Sequence, residues 1–161
     1  MAILSSSVKS YIAGFLDGDG CIMYQLIHRK DYRNGYQIRA SIVFYQHTDK
    51  RAFLEWLHQL FGVGYVRNRG DDVSEYTIVG IDPVIEILKV LKPYVRLKRE
   101  HIKLALKINK ILSKPYTIQR FIKAAELVDK FAILNYSKKR TNTSKKFKSY
   151  LRQHKLYPRN D

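Results

Sequence analysis

Two runs of strand-like alternation, each with a turn at its centre and helical periodicity on either side, predict a mixed α+β fold built on one four-stranded sheet. Three observations carry this. Ahead of the first hairpin, Val8, Ile12, Phe15 and Leu16 recur at helical spacing. Turn chemistry then separates two pairs of strand-like runs, at Asn34-Gly35 and at Gly70-Asp71-Asp72. The order along the chain is helix, hairpin, helix, hairpin and further helices.

In the first helix, Ser5, Ser6 and Ser7 offer hydroxyls to the opening turn. Gly14 and Gly18 lie four apart, hence one above the other, and each lowers helix propensity by about 1 kcal/mol relative to Ala. Such a stripe implies close approach by another backbone, on the logic of small-residue contacts between helices. Gly20 is expected to end the helix in left-handed geometry, leaving Asp19 at its tip. A carboxylate at the negative end of a helix dipole is unfavourable unless a cation compensates it. From these residues alone Asp17-Gly18-Asp19-Gly20 reads either as a helix stop with a turn or as a metal-binding tip.

Beyond it, Ile22, Tyr24 and Leu26 alternate with Met23 and Gln25, as a half-buried strand over Cys21 to Leu26 would. A basic loop containing Arg29 leads to a second strand from Tyr36 to Tyr45. Ile38, Ala40, Ile42 and Phe44 share one face of it; Gln37, Arg39, Ser41, Val43 and Tyr45 share the other. Gln and Arg are the side chains that pair bidentately with adenine and guanine edges in the major groove. An ordinary solvated sheet face has the same composition.

Thr48 is the expected cap of a helix carrying Phe53, Leu54, Leu57, Leu60 and Phe61 inward and ending at Gly62. Lys50, in its first turn, opposes the helix dipole. Strands over Val63 to Arg69 and Val73 to Val79 make the second hairpin, with Tyr65, Arg67 and Arg69 on one face of the former and Glu75 and Thr77 on one face of the latter. Asp82-Pro83 opens a helix with Pro at the first position. Another runs from Lys98 to Leu112, and Thr117 caps a last one from Ile118 to Leu134. After Asn135 the composition turns to Lys and Arg spaced by Ser, Thr and Asn. Residues 136–161 are therefore expected as a mobile arm or short helix along phosphates, appended to a domain of residues 1–135.

Charge limits the function classes. Thirty Lys and Arg against 14 Asp and Glu give a net charge of +16 over 161 residues, which points to a polyanionic partner, nucleic acid first. No apolar run approaches the roughly 18 residues of a spanning helix, which argues against a membrane. The lone Cys21 excludes an intrachain disulfide and a cysteine zinc cluster. The first residues are too short for a signal peptide, so an organellar location is expected to require synthesis inside the organelle.

The stretch Ile12-Ala13-Gly14-Phe15-Leu16-Asp17-Gly18-Asp19-Gly20 closely resembles the signature of the LAGLIDADG homing endonucleases, with Gly18 in place of the Ala of the name. Gly62-Val63-Gly64-Tyr65-Val66-Arg67 and Leu97-Lys98 extend the resemblance over residues 11–112. It looks closest to the single-motif branch of algal chloroplast introns. The resemblance implies an αββαββα core with helices on one face of an antiparallel sheet, and a chloroplast location. One motif per chain implies a homodimer with Gly14 and Gly18 in the helix contact. Asp19 and the carbonyl of Gly18 take the metal-ligand positions, for Mg²⁺ or, in the same sites, Mn²⁺ or Ca²⁺, while Asp17 supports the turn. Gln46, Lys50 and Lys98 match the remaining catalytic places. Gln46 would order water, and the lysines would stabilise charge developing on phosphate. Lys50 stands where a relative has Arg and lacks the bidentate fork.

The implied activity is site-specific hydrolysis of double-stranded DNA at a long pseudo-palindromic target. Alternation then turns Gln25, Arg29, Gln37, Arg39, Ser41, Arg67, Arg69, Glu75 and Thr77 toward bases, leaving Lys138 and Lys139 for phosphates. An intron-splicing maturase, or a non-catalytic RNA- or DNA-binding protein, is the alternative. An acid such as Asp19 has no use in a protein that needs only phosphate contacts.

Overall fold

In the computed structural model, which describes residues 4–158, the chain forms two compact units. One holds the N-terminal stretch to Ile22 with Ala40–Ile102; the other holds Met23–Arg39 and the chain from Lys103 onward. The strands β1 (Gly20–His28), β2 (Tyr36–His47), β3 (Tyr65–Asn68) and β4 (Val73–Val79) make one antiparallel sheet in the order β1-β2-β4-β3. The helices are α1 (Ser6–Asp19), α2 (Arg51–Phe61), α3 (Ile81–Leu91), α4 (Arg99–Leu112), α5 (Ile118–Leu134) and α6 (Ser144–Gln153).

In the first unit, Ser5 caps α1 by accepting the Val8 N–H at 3.3 Å, and the helix buries Ile12, Ala13 and Leu16. It ends without the left-handed glycine expected of it. Gly20 is extended (φ −94°, ψ 160°) because α1 passes directly into β1 with no intervening turn. Glycine is required there for space: a Cβ would lie 2.6 Å from the Leu16 Cδ1 and 2.8 Å from its Cα. Antiparallel pairing runs from Ser41↔Val79 to His47↔Val73 between β2 and β4, and from Tyr65↔Thr77 to Asn68↔Ser74 between β3 and β4. One face is apolar, with Ala40, Ile42, Phe44, Tyr76 and Ile78 buried. The Phe44 ring stacks between Phe15 (5.7 Å) and Tyr76 (6.1 Å).

Helix α2 covers this face with Leu54, Leu57 and Phe61 and stops at Gly62 (φ 68°), as its sequence predicts. Its start differs. A 3-10 turn, Thr48–Lys50, precedes it, and the Thr48 hydroxyl pairs with Ser74 rather than capping the helix. Strand β3 is shorter than expected because Gly62 and Gly64 both have positive φ and the chain is still turning. At Gly64 (φ 88°) a Cβ would lie 2.3 Å from the Thr77 carbonyl oxygen. Helix α3 begins at Ile81, so Pro83 is its third residue rather than its first. The missing N–H still falls among those that have no intrahelical partner.

The second unit is organised by aromatic rings. Tyr24 of β1 stacks on Phe131 of α5 at 4.8 Å, and burial pushes its hydroxyl pKa up. Tyr36 of β2 meets Phe147 of α6 at 5.0 Å. Thr117 caps α5 by accepting the Arg120 N–H at 3.2 Å, as read from the sequence. Of the two expectations for the segment after Asn135, a mobile arm or a short helix, the structure has a helix over Ser144–Gln153. Thr143 caps α6, and Phe147 and Leu151, four apart, are buried against the unit's core. Arg140 anchors the approach to α6, donating to the Val128 carbonyl at 2.6 Å and to the carbonyl of Tyr24.

Candidate active site and nucleic-acid interface

The tip of α1 holds two carboxylates with opposite surroundings. Asp17 is saturated: its Oδ2 accepts the N–H groups of Arg96 (2.6 Å) and Leu97 (3.1 Å), and its Oδ1 accepts that of Lys98 (3.0 Å). These are the residues just ahead of α4, so Asp17 places negative charge at the positive end of that helix. Lys98 Nζ in turn donates to the Asp17 carbonyl at 2.7 Å. The last turn of α1 has no basic residue of its own. Lys98, from far along the chain, supplies the cation that the dipole calls for. The same ammonium opposes the rise that burial gives the Cys21 thiol.

Asp19 is exposed beside an exposed Gly18, and its carboxylate has no hydrogen-bond or ion-pair partner among the described residues. No group of three or more His, Cys, Asp or Glu residues gathers anywhere among those residues. A free carboxylate and an adjacent carbonyl are hard oxygen donors suited to Mg²⁺, yet too few to complete its shell. The donor set fits half a metal site, to be finished by oxygens from outside the chain.

Gln46 and Lys50 lie together at the end of β2 and on the turn after it. Gln46 is half-buried, and its Oε1 accepts the next residue's N–H at 3.1 Å. Lys50 is 69% exposed, with Nζ 3.2 Å from Asp49 Oδ2. His47 and Lys50, in that order, hold the Asp49 carboxyl below the usual carboxylate range.

Gly14 and Gly18 are exposed on α1, and a Cβ at either would meet nothing within 4 Å. Among the described residues, nothing beyond the helix's own backbone makes the close approach that the stripe implies.

In the first unit, register gathers Ser41, Arg67, Glu75 and Thr77 on the sheet face opposite the core. Three of these are less accessible than alternation suggested: Ser41 is 3%, Thr77 4% and Glu75 7% exposed. Glu75 is spoken for, since Arg67 Nε donates to its Oε1 at 2.6 Å. The carboxylate therefore acts on Arg67, which is 60% exposed, and through it on anything Arg67 touches. Arg69 lies beyond β3, 2.9 Å from Asp71 and 5.9 Å from the Tyr45 ring. Tyr45, opposite Glu75, and Tyr65, opposite Thr77, lie on this face too, outside the base-facing set expected from the sequence, although their alternation with core residues marks them. In the second unit, Gln25, Arg29 and Arg39 are exposed and Gln37 is half-exposed, with Arg29 paired to Asp31 at 3.1 Å. Lys138 and Lys139 are exposed ahead of α6.

A family model described as LAGLIDADG endonuclease matches residues 12–99. The chain is 39% identical over 132 residues to DNA endonuclease I-CvuI of Chlorella vulgaris, covering 82% of each. It is 37% identical over 142 residues to DNA endonuclease I-CreI of Chlamydomonas reinhardtii, covering 88% of this chain and 86% of that one. The crystal structure of I-CvuI in complex with the I-CreI target in the presence of Mg matches with a TM-score of 0.85 at 36% identity, covering 90% of this chain and 92% of the other. The archaeal intron-encoded homing endonuclease I-Vdi141I, complexed with DNA, shares the fold at a TM-score of 0.80 and 15% identity, covering 92% and 96%.

Proposed function

The chain belongs to the LAGLIDADG endonuclease family, and from that premise we propose that it is a homing endonuclease: a homodimer that hydrolyses both strands of a long pseudo-palindromic DNA target. The observation that carries the reading is the division of labour at the tip of α1. Asp17 is consumed in bringing Lys98 to the site, and Asp19 is left free to bind a cation. A second copy, docked through the Gly14 and Gly18 stripe, supplies the second Asp19.

Asp19 and the Gly18 carbonyl would hold Mg²⁺, with Mn²⁺ or Ca²⁺ able to occupy the same place. The metal supplies positive charge at the scissile phosphate. Gln46 orients the attacking water through its amide. As the water oxygen bonds to phosphorus and the bond to the leaving sugar oxygen breaks, Lys98 and Lys50 neutralise the charge that grows on the phosphate. For Lys50 this requires exchanging Asp49 for phosphate, a small step because the pair is exposed and screened by solvent. Arg67, Arg69 and the exposed Gln and Arg side chains of the second unit would read base edges, and Lys138 and Lys139 would contact phosphates. The relatives I-CvuI and I-CreI come from green algae, which supports a chloroplast setting. No helix among the described residues is long and apolar enough to cross a membrane.

Incubation with Mg²⁺ and a plasmid library of candidate sites tests the proposal. Wild-type protein should linearise a subset of plasmids, and Asp19→Asn, which removes the charge but little volume, should bind them without cutting. Cleavage by Asp19→Asn at the wild-type rate would remove Asp19 from the active site. Splicing of an intron RNA by a protein that cuts no plasmid would favour a maturase.

A further inference from the structure

We infer that Thr48, Asn68 and Ser74 form a clamp that makes cleavage, and not only binding, depend on how the β3–β4 hairpin sits on its bases. The inference rests on the reading above that Gln46 and Lys50 act at the scissile phosphate.

The register places Gln46, Ser74 and Asn68 in one row across three strands, on the face opposite Arg67. Asn68 Oδ1 is the hub of that row. It accepts from Arg51 Nη1 and, at 2.8 Å, from the hydroxyl of Ser74. Ser74 is fully buried and has one proton to give. Since an amide oxygen can only accept, that proton belongs to Asn68, and the Thr48 hydroxyl, 3.1 Å away, must be the donor to Ser74. Arg51 is fixed from its other side by Nε and Nη2, which donate to Glu55 Oε1 at 3.0 and 2.8 Å. The backbone repeats the connection, for the Thr48 N–H donates at 2.8 Å to the carbonyl of Asp72 in the hairpin turn.

Residues on both sides of Lys50 are thus tied to the hairpin: Gln46 and His47 by pairing with Ser74 and Val73, Thr48 by Asp72 and Ser74, Arg51 by Asn68. Lys50 itself is exposed and its ammonium is paired with Asp49 of the same turn, so its place is inherited from the turn. Asn68 sits between Arg67 and Arg69 in sequence. A shift of β3 that unseats either arginine from its base therefore moves Asn68 and, through Ser74 and Thr48, the turn that positions Lys50. Thr48, Asn68 and Ser74 are positioning residues; none needs to touch DNA.

The test uses a cleavable target recovered from the plasmid library and variants with base pairs under the hairpin changed one at a time, measuring the dissociation constant and single-turnover cleavage rate of each. Wild-type protein should lose more in rate than in affinity at those pairs. Ser74→Ala should bind the unaltered target within about 2-fold of wild type, cut it about 10-fold more slowly, and lose little further rate on the altered targets. Thr48→Val should behave alike, and Thr48→Ser, which restores the hydroxyl, should recover wild-type behaviour. If Ser74→Ala and Thr48→Val keep the wild-type dependence of rate on these base pairs while Lys50→Ala abolishes cleavage, the clamp is wrong and the active-site reading stands. If Lys50→Ala cuts normally, the active-site reading of Lys50 fails, and the clamp with it.

Discussion

Asp17 and Asp19 are the same residue type two positions apart, and their surroundings give them different work. Three N–H groups at 2.6 to 3.1 Å use up the carboxylate of Asp17, whereas that of Asp19 faces solvent. Asp17→Ala leaves those donors unanswered at the start of α4 and releases Lys98. Stability should fall by about 1–2 kcal/mol, the range for losing a helix cap, and cleavage by about 10- to 100-fold, the range for a displaced catalytic group. Asp17→Asn, which keeps one acceptor oxygen, should lie between. Thermal melts and cleavage rates measured well below the melting temperature separate the two effects. Unchanged cleavage by folded Asp17→Ala would mean that Lys98 needs no positioning by Asp17.

At the scale of elements, α1 and α6 show how one helix can leave a face open while another closes a core. Among the described residues, nothing outside the backbone of α1 comes within 4 Å of a Cβ placed at Gly18, so Gly18→Leu should leave the isolated fold intact and overpack only a contact with a second copy. Sedimentation should show monomers or insoluble protein; an unchanged dimer would rule out this stripe as the interface. Helix α6 looks from its charges like a solvated tail, yet Phe147 is fully buried and touches both Tyr36 and Phe121. Phe147→Ala should destabilise the protein by about 3–5 kcal/mol, as for other buried aromatic truncations, and urea denaturation would measure it. A loss under 1 kcal/mol would mean that α6 adds little to the core.

Across the whole molecule the net charge of +16 is divided between cations held in place and cations left free. Arg67 is fixed by Glu75 and Arg69 by Asp71, while Lys138 and Lys139 are exposed. Base contacts specify a sequence and phosphate contacts position the protein on it, so the two groups should respond differently to substitution. Arg39→Ala or Arg69→Ala should relax specificity at particular base pairs by about 1–3 kcal/mol, whereas Lys138→Ala should weaken binding to all sequences and flatten its salt dependence. Binding to a half-site library at two salt concentrations distinguishes these. Strand arginines that changed only the salt slope would make the sheet a phosphate-binding surface.

Local information was enough for most of the elements. The spans of α5 and β4 follow from periodicity and flanking turn residues, and Gly62 ends α2 as a left-handed cap, because these preferences act within a few residues. Asp17-Gly18-Asp19-Gly20 by itself leaves a helix stop and a metal-binding tip equally open, and it is the resemblance of the whole stretch to the family signature that implies a metal at Asp19. Only the tertiary structure decided which partner each polar group took. Thr48 gave up its helix for Ser74, 26 residues away, Asp17 reached 79 to 81 residues ahead to Arg96, Leu97 and Lys98, and Gly20 became extended because β1 follows α1 at once. Hydroxyls, carboxylates and backbone N–H groups can each be satisfied locally or at a distance. The choice depends on which donors and acceptors packing brings within 3 Å or so, a proximity that no local pattern in the chain encodes.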